Sequence, residues 1–182
     1  MNESLKIKTQ DGLVYFDKFE EAKLTYYKKD NGKIVINIYV SADSEDRSEN
    51  DITSLQKRLN ETLHPEAYEC WIELRLFHTE LLEIEELNNF TIRIEKGYDI
   101  NLENDSAAHY GIWSPRELYK NEIVFREKES QFKLIWKAVS DDVNYYNHMA
   151  KECDMELECN LNIIGFNSEN EYWEYEKKQL GI

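Results

Sequence analysis

The sequence predicts a mainly β fold of the α+β kind: an antiparallel sheet, or two sheets packed as a sandwich, with about ten strands and three or four short helices. Three observations predict it. Between 155 and 163, Met155, Leu157, Cys159, Leu161 and Ile163 alternate with Glu156, Glu158, Asn160 and Asn162, the period of two that gives a strand one buried and one wet face. Upstream, Phe132, Leu134, Trp136 and Ala138 alternate in the same way with a row that holds Lys133 and Lys137. Near the start, Asp11-Gly12 and Asn31-Gly32 each lie between a pair of apolar-polar runs, and both dipeptides accept the positive φ angles of a two-residue hairpin turn.

The elements follow in chain order. Residues 5–10 and 13–19 flank the first turn and 22–29 and 33–41 the second, giving an up-and-down meander of four strands. Residues 43–51 hold five carboxylates and one Arg without an apolar residue, an exposed loop. Asn50 or Asp51 caps a helix over 51–63, whose Ile52, Leu55, Leu59 and Leu63 recur at helical steps before His64-Pro65 ends it. Residues 68–78 return to strand with apolar bulk on both faces, 80–87 fit strand or helix, and 90–95 form a strand stopped by Gly97.

Ser114-Pro115-Arg116-Glu117 reads as a helix start, with Asn121 closing that short helix. The strands at 131–138 and 155–163 pair antiparallel, with Lys137 opposite Glu156 or Glu158. Between them Ser140 caps a short helix whose first turn holds Asp141 and Asp142. Ser168 and Glu171 form a capping box for a C-terminal helix that carries Tyr172, Trp173 and Tyr175, docks on the body and stops at Gly181.

Twelve Tyr and four Trp supply core anchors, so a chain with 32% charged residues still reads as folded. No stretch has linker composition, and 1–182 is expected to form one compact domain, with 1–104 and 105–182 as its subdomains if it divides. Three cysteines outside any C-x-x-C spacing, together with the lack of an apolar leader or membrane-length run, place the chain in the cytoplasm.

The formal charge of -15 is unevenly spread: residues 1–34 carry seven Lys and six Asp or Glu, a net of +1, which leaves -16 for residues 35–182. Such a field repels nucleic acid and anionic membranes and speeds encounter with basic proteins. The first functional reading is therefore an acidic binding protein that covers a basic surface of a partner protein, a property shared by inhibitors and by the immunity proteins of toxins. Its candidate contacts are Asp43, Glu45, Asp46, Glu49, Asp51, Trp113, Tyr145 and Trp173.

The second reading is a small enzyme or a metal- or ligand-binding domain. His109 lies in Ala-Ala-His-Tyr-Gly-Ile-Trp, a run of small and aromatic residues suited to a pocket, and Asp141, Asp142, Asn144 and His148 place ligand-type groups one helical turn apart. No H-E-x-x-H, G-x-S-x-G or phosphate-binding glycine motif accompanies them, and 43–51 lacks the glycine of a calcium loop, so no cofactor is expected. The third reading is a structural subunit that self-associates through a strand edge or the C-terminal helix, with the oligomeric state left open.

Overall fold

A computed structural model describes residues 3–9, 12–17, 19–42, 70–76, 83–97, 108–111, 115–128, 131–141 and 151–181. Its strands are β1 (Ser4–Thr9), β2 (Gly12–Phe16), β3 (Phe19–Lys28), β4 (Ile34–Ala42), β5 (Cys70–Leu76), β6 (Thr91–Ile94), β7 (Ala108–Gly111), β8 (Pro115–Glu117), β9 (Tyr119–Lys128), β10 (Gln131–Asp141) and β11 (Glu152–Phe166). A 3-10 turn covers Ile84–Leu87, and one α-helix, α1, covers Glu169–Gln179.

β11 is the strand on which the rest is hung. At roughly 3.3 Å per residue its fifteen residues extend about 50 Å, enough to pair with different strands along its length. Glu152 to Leu161 pair with β10, and Asp154 to Glu158 also pair with β1. Asn162 to Phe166 pair with β3, the one parallel pairing among the described residues. The eleven strands form one connected sheet, ordered β6-β9-β10-β11-β3-β4-β5-β7-β8, with β1 on β11 and β2 on β1.

Alternation along each strand builds the core. Cys153, Met155, Leu157, Cys159 and Leu161 of β11 are buried beside Phe132, Leu134, Trp136 and Ala138 of β10, Leu5 and Ile7 of β1, and Ile36, Ile38 and Val40 of β4. One backbone bond joins β7, near one end of the strand order, to the residues that follow β6 at the other end, and two more prolong the β7–β8 and β6–β9 pairings. Ala108 N–H donates to Gly97 O at 3.1 Å, Leu118 N–H to Ala108 O at 3.0 Å and Lys120 N–H to Glu95 O at 2.9 Å. Gly97 is needed at that junction, because a Cβ there would collide with the Ala108 and Leu118 carbonyl oxygens.

Several local expectations hold. Lys137 pairs with Glu156 in register. Gly32 sits in the β3–β4 turn at φ +81° and Asn31 Oδ1 accepts from Lys33 N–H at 3.0 Å, but the turn is not the expected two-residue one: pairing ends at Lys28 with Ile34, and Asn31 is not among the residues at positive φ. Ser168 Oγ accepts from Glu171 N–H at 3.3 Å, while the Glu171 carboxylate accepts from Asn167 N–H at 2.9 Å, one residue before the cap. Gly181 closes the helix at φ +69°.

Others are corrected. The described strands make one network and no two-sheet sandwich, and the described residues contain one α-helix where three or four were expected. The four-strand meander does not form: among the described residues β2 pairs only with β1, and the two hairpins attach separately to β11. Thr9 pairs with Gly12, which makes that glycine the first residue of its strand.

Pro115 to Glu117 form a strand whose only partner among the described residues is β7, an edge position that tolerates the missing proline N–H. Burial of Leu118 and Asn121 within the sheet overrides the local helix signal there. Ser140 and Asp141 close β10 as its last two residues, and the fully buried Ser140 hydroxyl donates to the Asp141 carbonyl at 2.7 Å; the short helix expected after them lies outside the described residues. The helix expected over 51–63 lies outside the described residues.

Candidate functional site

Two adjoining features at the C-terminal helix stand out. The first is set by how β3 and β4 divide their side chains. Leu24 of β3 and Ile36, Ile38 and Val40 of β4 enter the core, so Glu21, Lys23, Thr25 and Tyr27, with Val35, Asn37, Tyr39 and Ser41, take the opposite face. α1 lies on one end of that face. Tyr172 stacks on Tyr27 with ring centroids 5.1 Å apart and 24° between planes, and Phe166 meets Tyr172 edge-on at 5.8 Å. Beyond these rings the helix and sheet diverge into a cleft of about 420 Å³ whose walls include Glu21, Lys23, Tyr39, Tyr172 and Glu176.

The cleft floor is polar. Thr25 and Asn37 are cross-strand partners and are only 2% and 9% exposed. Among the described residues neither side chain has a hydrogen-bond partner. Lys23 is held between a carboxylate and two rings: its Nζ is 3.0 Å from Glu21 Oε1, 5.3 Å from the Tyr39 centroid and 5.8 Å from that of Tyr175. Burial alone would lower the Lys23 pKa, but the hydrogen bond and charge of Glu21, with Tyr175 and Glu176, carry it upward.

The second feature is Trp173, 43% exposed on the outer side of α1. Its Nε1–H donates to Glu169 Oε1 at 3.3 Å, and its ring meets Tyr172 edge-on at 5.0 Å. The Tyr27 hydroxyl also donates to Glu169, and burial together with that carboxylate pushes the Tyr27 pKa up to about 12. One carboxylate therefore fixes both the docked face of the helix and the edge of an exposed indole. The C-terminal helix docks as expected, through Tyr172 and Tyr175, while Trp173 stays outside the contact.

Of the other candidate contacts, Asp43, Glu45, Asp46, Glu49, Asp51, Trp113 and Tyr145 lie outside the described residues, as do Asp142, Asn144 and His148. Asp141 ends β10 instead of opening a helix, so the one-turn spacing that would align it with Asn144 and His148 does not apply to it. Its carboxylate accepts from the Tyr119 hydroxyl, whose pKa is pushed up to about 12 by burial and by Glu152 and Asp141. His109 belongs to β7, where it pairs with Glu73 of β5 and Glu117 of β8. Among the described residues no group of three His, Cys, Asp or Glu is arranged to hold a metal. Cys153 and Cys159 are buried thiols outside any disulfide, and burial pushes the Cys159 pKa up, which makes it a small hydrophobe.

The outer face of β1, β9, β10 and β11 is a ladder of opposite charges. Lys133 Nζ lies 2.6 Å from Glu158, Lys137 3.9 Å from Glu156 and Lys120 3.4 Å from Glu152. By count, the described residues hold 18 Lys or Arg and 22 Asp or Glu, a net of -4, so -11 of the formal -15 belongs to the remaining segments. The sequence pattern pointed to Trp173, but it gave no sign of Thr25, Asn37 or Lys23. Those read as ordinary solvent-facing strand residues until a helix from the far end of the sequence, Glu169–Gln179, covers them.

Among the described residues no helix is long and apolar enough to cross a membrane. Compared with protein families, with curated proteins and with solved structures, the chain matches none of them.

Proposed function

We propose that this chain is an acidic binding protein that covers a basic surface of a partner protein, in the manner of an inhibitor or an immunity protein. The observation that carries this reading is Trp173: a large ring, half exposed, held by a carboxylate at its edge. A tryptophan face beside carboxylates suits Lys or Arg, through cation–π contact and ion pairing together. Large aromatics fixed before binding also lose little freedom on association, which is why they dominate interface energies. α1 adds Glu171, Glu174 and Glu176 against Lys177 and Lys178, and the acid excess of 43–51 supplies long-range attraction. Buried thiols outside any disulfide fit a reducing cytoplasm.

The self-association reading has less support, because the edge strands β2, β6 and β8 are five, four and three residues long, and short edges are poor templates for pairing. The test is capture from native lysate with the wild-type chain and with Trp173→Ala, at low and at high salt. The reading expects a basic protein retained by the wild type, released by salt and lost with Trp173→Ala. Truncating such an anchor costs about 2 kcal/mol or more, some thirtyfold in Kd. A wild type that retains nothing, or retention indifferent to both salt and Trp173, refutes it.

A further inference from the structure

The cleft between α1 and the outer face of β3 and β4 has a chemistry of its own, independent of the basic-partner reading. Its floor is Thr25 and Asn37, both at least nine-tenths buried and both without a side-chain partner among the described residues. A buried amide or hydroxyl left unpaired is costly, so side chains placed this way are met by ordered water or by a ligand group that displaces it. Three charged groups on the walls restrict what that group can be. Glu21 and Glu176 repel an anion, and the Lys23 ammonium repels a cation while already occupying the space over the Tyr39 ring.

The hydrogen-bonding inventory narrows the choice further. The Asn37 amide offers two donors and an acceptor, and the Thr25 hydroxyl offers both roles. An ammonium or guanidinium cation supplies donors only, and would leave the Asn37 N–H groups unmet. A hydroxyl donates and accepts, and therefore answers both side chains. Glu21, Glu176 and the Lys23 ammonium can serve as further acceptors and a donor at the rim, with Tyr39 and Tyr172 giving the walls apolar surface. About 420 Å³ lies in the size range of small-molecule sites, roughly 300–1,000 Å³.

We infer that this cleft binds a neutral, polyhydroxylated ligand of the saccharide class, with Thr25 and Asn37 as the hydrogen-bonding floor. The test is ligand-observed NMR on the full chain with a panel of neutral mono- and disaccharides, with agmatine and citrate as cationic and anionic competitors. Thr25→Val and Asn37→Leu are measured alongside, each with its thermal midpoint.

At least one saccharide should bind the wild type and resist both competitors. Each substitution should weaken it about tenfold, the effect of one lost hydrogen bond with its partner group left unpaired. The Thr25→Val midpoint should stay level or rise, because an apolar isostere replaces an unmet hydroxyl. Four results overturn the inference: no saccharide of the panel binds, binding survives both substitutions, agmatine or citrate displaces the sugar, or Thr25→Val lowers the midpoint by several degrees. The last would mean that the hydroxyl already has a partner within the protein.

Discussion

Replacing Asn121 with alanine should destabilise the fold more than most single substitutions of a surface-type residue, and the size can be worked out bond by bond. Asn121 is 2% exposed in β9, at the point where the β9–β10 register shifts and Lys120 adopts φ +53°, the signature of a bulge. Its Nδ2 donates to Leu118 O at 2.6 Å and to Ile94 O at 3.1 Å, and its Oδ1 accepts from Trp136 Nε1 at 2.9 Å. One amide thus joins β6, the approach to β9 and the largest buried side chain of β10.

Alanine leaves the Trp136 N–H and the Leu118 carbonyl buried without this partner, at about 1–3 kcal/mol each, and the less buried Ile94 carbonyl at the lower end of that range. Allowing for some relaxation, the expected loss is about 3–4 kcal/mol, a large share of the roughly 5–15 kcal/mol typical of a domain. Urea unfolding followed by tryptophan fluorescence reads it as a fall in midpoint. Trp136→Phe and the double mutant complete a cycle whose coupling should be about 1–2 kcal/mol. A loss below about 1 kcal/mol, or coupling near zero, would show that the bulge does not depend on this amide.

Two further outcomes follow from the same packing. Gly97→Ala should cost about 2–4 kcal/mol by forcing apart the Ala108 and Leu118 carbonyls at the junction of the sheet ends. Gly32→Ala, which meets open space but keeps φ at +81°, should cost about 1 kcal/mol, and equal midpoints for the two variants would refute the clash. Tyr27 and Tyr119 both titrate near 12 when folded, against 10.0 ordinarily. A folded pKa above the unfolded one means that the folded chain holds these protons more tightly. Stability from this source is therefore complete below pH 10 and falls as pH rises from 10 to 12. The alkaline loss should shrink in Tyr27→Phe and in Tyr119→Phe, and an unchanged slope would count against the burial and the carboxylate contacts of both hydroxyls.

Strand identity was legible wherever one face is dry and the other wet. The rows of β10 and β11 were readable residue by residue, down to Lys137 opposite Glu156, because period-two alternation is imposed by the pleat itself. The Asn31-Gly32 turn and the Ser168 cap were legible for the same reason: their chemistry is complete within a few residues. Asn121 shows where this fails. It reads as a polar helix stop, yet it is buried, and only the arrival of Trp136 and Ile94 from other strands makes that tolerable. Pro115 likewise resembles a helix start until β7 gives it an edge to occupy. The double partnership of β11 was beyond local pattern, since alternation shows that a residue faces a core and not which strand lies beside it.

The distribution of charge bears directly on how the proposed binding would behave. On the described sheet each lysine row meets a glutamate row at close range, as in Lys133 with Glu158 and Lys137 with Glu156, so that face projects little net field. The uncompensated acid lies elsewhere, with eight acidic against three basic residues in 43–69 alone. Attraction over a Debye length of about 8 Å at physiological salt would then come mostly from those segments, with α1 adding the excess of its four Glu over two Lys beside Trp173. Steering charges act on the rate of encounter, whereas a buried aromatic anchor acts on the rate of escape. In the proposed complex, salt sensitivity and dependence on Trp173 are therefore separable quantities, the first drawing mostly on the acidic segments and the second on the ring itself.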